Sequence, residues 1–221
     1  MEEISKRTKV AGLSMVAGAV VLMVPPFLGR AEGGSDDTKD HLAALVANPT
    51  PTMAKSFVFQ LGVLLLLPGI AAIVGRTRGR GAGAVLSGAT AYAAGLVGAF
   101  TFMVMTGVEV SLAGDGPIGP VLVDAADRVG SSPAAIPSLV LAFLVFDLTG
   151  LPWLAWGMVR ARQIPKWVAI LATVGTVGAF VGSGSVVEAV SRELIGVGLV
   201  AVALTLVRPR LPEIAPALQP A

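Results

Sequence analysis

The residue of this chain most able to do chemistry is Asp147, set in the run Leu144-Val145-Phe146-Asp147-Leu148-Thr149. It stands thirteen residues before Arg160, about 20 Å away at helical rise. An unpaired carboxylate in hydrocarbon costs at least about 2.5–3.5 kcal/mol. A carboxyl so placed therefore holds a proton, pairs with a cation, or faces a wet cavity. The functional reading is a proton or cation site, or a substrate contact. The plainer reading is a buried carboxyl that hydrogen-bonds a neighbouring helix and only holds the bundle together.

Companions are few. Arg192 and Gln60 each lie sixteen residues before a basic residue, Arg208 and Arg76, so both fall at a comparable depth. Glu109 sits near the far end of another apolar run. With Glu188 and Glu193 these side chains could line one pocket. The plainer reading of Glu109, Glu188 and Glu193 is solvated residues at an interface.

Other chemistry is excluded by composition. The chain has no cysteine and one histidine, His41. Thiolate nucleophiles, disulfides and His- or Cys-based metal sites are ruled out, and no cofactor is expected. Gly79-Arg80-Gly81 lacks the Lys-Ser/Thr ending of a phosphate loop, and its arginine is a topology signal, not a nucleic-acid patch. Gly182-Ser183-Gly184-Ser185 superficially suggests an intramembrane serine protease, but the only histidine falls in a loop. A carboxylate-driven membrane cyclase using Asp147 and Glu109 is conceivable, though aromatic residues make up only 5% of the chain.

The elements that must position Asp147 follow from hydropathy. The chain has 221 residues, 54% apolar and 14% charged, against about 25% charged in soluble domains. The mean hydropathy is +0.81. The solvent of most of this chain is therefore lipid. A helix needs about 20 apolar residues to cross the hydrocarbon layer. Six runs qualify, near 10–28, 56–75, 82–112, 137–159, 167–182 and 186–207. Barrel strands would show about ten-residue alternating segments, so these are helices. The expected fold is an all-α, polytopic bundle of six transmembrane helices forming a single membrane domain over 1–221. Lys6, Arg7 and Lys9 precede the first run as in a signal peptide, yet a run of about 19 residues exceeds the usual apolar region. We read it as a retained helix.

Charge sets the orientation. Lys and Arg gather in cytoplasmic loops. The N-terminus, the connections near 76–81 and 160–166, and the C-terminus hold eleven of the 16 basic residues. The alternate segments hold Arg30, Lys39, Lys55, Arg128 and Arg192, together with most acidic residues. Six spans put every basic cluster on one side, with both termini cytoplasmic and the long outer loops near 29–55 and 113–136. The implied location is multi-pass in the cell membrane. In the first outer loop, Asp37 to Val46 reads as a short amphipathic helix carrying His41, ended by Asn48-Pro49 and Thr50-Pro51.

Two segments echo each other at an offset of 84: Leu67, Pro68, Ala71, Arg76 and Arg78 match Leu151, Pro152, Ala155, Arg160 and Arg162. A duplicated hairpin in parallel orientation explains this, as in some transporters. Chance, plus the arginines expected where any helix enters the cytoplasm, explains it too. Small residues at Ala84, Gly88, Ala91, Gly95 and Ala99, and the pair Gly178 and Gly182, let helices approach closely. They fit a compact bundle or a homo-oligomer face equally. Trp153, Trp156 and Trp167 suit an interfacial belt.

The run His41-Leu42-Ala43-Ala44, the Asn48-Pro49 break and Leu67-Pro68 resemble a group of small six-helix membrane proteins of actinobacteria. So does Trp156-Gly157-Met158-Val159-Arg160 followed by Ile164-Pro165-Lys166-Trp167. The resemblance covers under half of the chain and implies fold and location only. The bias towards Gly, Ala, Val and Arg also points to a GC-rich bacterial genome. Three functional readings stand: a protein that binds or moves a small solute or proton at Asp147; an accessory or scaffold subunit of a membrane complex; and an enzyme on a lipid or isoprenoid.

Overall fold

The structure is a computed structural model, and it describes residues 2–25, 38–47, 49–113, 136–181 and 186–207, with isolated positions between 121 and 128. Seven helices are described: α1 (Glu2–Met23), α2 (Thr38–Ala47), α3 (Pro49–Arg76), α4 (Ala82–Ala113), α5 (Ile136–Arg160), α6 (Lys166–Val181) and α7 (Val186–Val207). Six are long and the second is a ten-residue helix. Among the described residues, α3, α4 and α7 are long and apolar enough to cross a membrane. That is the make-up of a membrane protein. α6 is apolar but shorter, and the first turns of α1 carry Lys6, Arg7 and Lys9.

Two helix ends differ from the hydropathy reading, both because of proline. α1 stops at Met23 rather than near Leu28, since Pro25 and Pro26 follow and cannot continue a helix. α3 begins at Pro49, so residues 49–55 are helix rather than outer loop. Pro49 and Pro51 occupy the first turn of α3, where the missing amide protons would have had no intrahelical partner. They start this helix as much as they end α2. α2 covers the stretch read as a short helix; the side chain of His41, residues 26–37, most of 114–135 and residues 182–185 lie outside the described residues.

The long helices form a closed ring in chain order. Each packs on its neighbours in sequence, and α7 returns to pack on α1. Neighbours run antiparallel, which sends every basic turn to one end. Arg76, Arg78 and Arg162 meet Thr205 and Leu206 of α7 there, and Arg76 Nη1 donates to the Leu206 carbonyl at 3.2 Å. The core at this end is continuous: Met15, Leu66, Ile73, Leu154, Met158 and Leu206 are almost fully buried. Outward residues are apolar as well, with Phe57, Leu64, Leu86, Ile170, Val174 and Val190 exposed. A surface of that kind suits a lipid solvent. Trp153, Trp156 and Trp167 are also exposed.

The tightest seam joins α4 to α5, and its cause is a pair of interlocking glycine columns. Gly88 and Gly95 stand seven residues apart on α4, Gly150 and Gly157 seven apart on α5, and Gly81, in the turn before α4 with φ 92°, closes the seam against Gly157 and Ala161. A methyl on Gly88 would meet the Leu154 backbone, and one on Gly150 would meet the Tyr92 backbone. A methyl on Gly157 would stand 2.8 Å from the Val85 amide nitrogen. The small residues of α4 thus serve an intramolecular seam. On α6 the close contact falls at Gly175 and Gly178, against Ser191 and Ile195 of α7.

Candidate functional site: a cavity lined by all six long helices

At the end of the ring away from the basic turns lies a cavity of about 470 Å³. Its wall takes Leu22 from α1, Phe59 from α3, Tyr92 and Met103 from α4, Asp147 from α5, Phe180 from α6 and Arg192 from α7. Every long helix contributes. The lining is mainly apolar, with a few polar groups set into it, the usual make-up of a small-molecule site.

Asp147 reaches this cavity because of the glycine seam. Gly95 lets the α5 backbone come so close that a methyl there would stand 2.7 Å from the Asp147 amide nitrogen. The Asp147 side chain is half-buried, and its accessible side faces the cavity. Among the described residues no hydrogen bond or ion pair reaches its carboxyl. Tyr92, 3% exposed, and Arg192 both lie within Coulombic reach of that carboxyl.

Arg192 is occupied differently. Its Nε and Nη2 both donate to Glu188 Oε1, at 2.8 Å and 2.7 Å. The two residues are one turn apart on α7, where side chains at this spacing face each other. Lys55, near the start of α3, stands within Coulombic reach of both. Thr176 lines the cavity and donates its hydroxyl proton to the Ala172 carbonyl at 2.7 Å.

Of the candidates read from the sequence, Asp147 and Arg192 line the cavity together, and Glu188 with them. Gln60 and Glu109 are half-buried and do not line it. Gln60 follows Phe59, which does; a one-residue step turns a helix by about 100° and carries Gln60 off the wall. Glu109 lies beyond Met103 by more than a turn. Glu193 has a buried Oε1 without a hydrogen-bond partner among the described residues, again off this wall. Tyr92, Phe59, Phe102 and Phe180 carried no sequence signal, since an aromatic ring in an apolar helix reads equally well as core or lipid-facing. Among the described residues no three His, Cys, Asp or Glu side chains gather as a metal site would need.

Comparison with known proteins adds no relative: the chain matches no protein-family model, no curated protein and no solved structure.

Proposed function

We propose that this chain is a six-span protein of the bacterial cell membrane, with both termini cytoplasmic, that binds or moves a small solute or proton through the cavity at Asp147. The observation that carries the reading is the meeting of all six long helices around a carboxyl with no bonded partner among the described residues. A carboxyl serving only to hold helices together would be hydrogen-bonded to one of them. The distribution of Lys and Arg supports the orientation, which makes the cavity end the outer end. The likeness to small six-helix actinobacterial membrane proteins supports the span count, and the offset-84 echo supports descent from a duplicated hairpin. An enzyme pairing Asp147 with Glu109 loses its geometry, because Glu109 does not line the cavity.

The absence of native cysteine makes the test direct. Ala179→Cys places a thiol in the cavity wall, and Gly83→Cys, with open space around it, places one just after a basic turn. In intact cells a membrane-impermeant maleimide labels Ala179→Cys, while Gly83→Cys reacts only after permeabilisation. An Ala179→Cys thiol inert from both sides would leave a closed structural cavity and favour the scaffold reading. Labelling only from the cytoplasmic side would reverse the orientation.

A further inference from the structure

We infer that the ligand of this cavity is a lipophilic organic monocation, held by the Asp147 carboxylate and surrounding aromatic rings. The inference rests on the solute-binding reading above and narrows it to a chemical class. Among the described residues three charged side chains line the wall: Asp147, Glu188 and Arg192. Glu188 and Arg192 form their own ion pair on α7, with two donors on one oxygen. Arg192 also lies within Coulombic reach of Asp147, so one arginine faces two carboxylates, and the described wall presents one net negative charge in a mainly apolar space. Lys55 is near the Glu188–Arg192 pair but outside the wall.

The rest of the lining suits the same guest. Phe59, Tyr92, Phe102 and Phe180 contribute rings from three helices, and the negative face of a ring attracts a cation. Leu96, Leu148, Leu151 and Leu199 supply apolar contact. An anion would find Arg192, the one cation of the wall among the described residues, already shared by Glu188 and Asp147. A wholly neutral guest would leave Asp147 and Glu188 to share the single arginine of the described wall. A metal ion would lack ligands, since among the described residues neither a third carboxylate nor a histidine lines the wall.

The test uses three probes of related size and different charge on full-length protein in lipid nanodiscs, with empty nanodiscs subtracted: tetraphenylphosphonium, triphenylphosphine oxide and tetraphenylborate. The expected result is that the phosphonium binds at least about tenfold tighter than the neutral oxide, and the borate does not bind specifically. Asp147→Asn loses that preference while keeping the affinity for the oxide; Asp147→Glu retains it, which separates charge from folding. Glu188→Gln, which frees Arg192 to face Asp147, weakens the phosphonium, and adding Arg192→Gln restores it. Equal affinity for cation and oxide, an Asp147→Asn variant that binds like wild type, or preference for the borate would overturn the inference while leaving a solute site. Failure of all three probes also overturns it; solvent labelling of Ala179→Cys then decides separately whether the solute-binding reading survives.

Discussion

Gly95 of α4 and Asp147 of α5 are in backbone contact, and the position of the carboxyl depends on the missing side chain at residue 95. The approach is close enough that a methyl on Gly95 would stand 2.7 Å from the Asp147 amide nitrogen. No side-chain rotation relieves such an overlap, because the neighbour is backbone.

Gly95→Ala therefore destabilises the protein by about 1–3 kcal/mol, the usual range for overpacking. Gly88→Ala, against the Leu154 backbone, does the same. Gly107→Ala is the control: it lies on the same helix with nothing within 4 Å of the added methyl. It gains up to about 1 kcal/mol from helix propensity. Thermal unfolding in one detergent, compared across the three variants, checks the contrast. Equal effects at 95 and 107 would disprove the seam.

Arg162→Gly stabilises the end of α5. Arg162 has φ 56°, the left-handed region, where a side chain costs about 1–2 kcal/mol. The Arg162 amide donates to the Val159 carbonyl and the Gln163 amide to the Met158 carbonyl, each at 2.9 Å. This is the hydrogen-bond pattern of a helix terminus that glycine normally closes. A rise in unfolding temperature is expected, partly offset by the freer unfolded chain. No rise would mean that contacts of the Arg162 side chain offset the strain.

The two basic turns are tied together by side-chain hydrogen bonding between Thr77 and Gln163. Gln163 Nε2 donates to Thr77 Oγ1 at 2.9 Å, and Thr77 Oγ1 donates to the Ile73 carbonyl at 2.8 Å. Thr77 is buried. Thr77→Ala and Gln163→Ala should each lose about 0.5–1.5 kcal/mol, and the double variant less than the sum because they share a bond. Strict additivity in a double-mutant cycle would show the contact to be energetically idle.

Glu188→Gln should leave stability within about 1 kcal/mol of wild type, because its ion pair with Arg192 is partly solvent-exposed and such pairs contribute little. Circular dichroism melting checks this. A large loss would make the pair a structural element rather than an electrostatic partner of Asp147.

Depth was legible in the sequence and rotation was not. Hydropathy located six long helices, and counting residues back from Arg76, Arg160 and Arg208 put Gln60, Asp147 and Arg192 at similar heights. Height does not say which way a side chain faces. Asp147 and Arg192 turned into the cavity, while Gln60 turned off its wall beside Phe59. The small residues of α4 announced a close approach, but the partner helix became clear only when Gly150 and Gly157 were seen filling the gaps. Helix ends at Met23 and Pro49 were missed because a hydropathy window averages over prolines, which act at single positions.

The seven-residue glycine spacing has a consequence for handedness. Two turns of a straight α-helix take slightly more than seven residues, so a column of such a period drifts by about 20° with each repeat. Gly88 and Gly95 on α4, and Gly150 and Gly157 on α5, keep to one line along the seam where the two helices wind about each other in a left-handed sense. Inserting a single residue between Gly88 and Gly95 would turn one of them about 100° out of register with the other, and the backbone contact at Leu154 or at Asp147 would be lost.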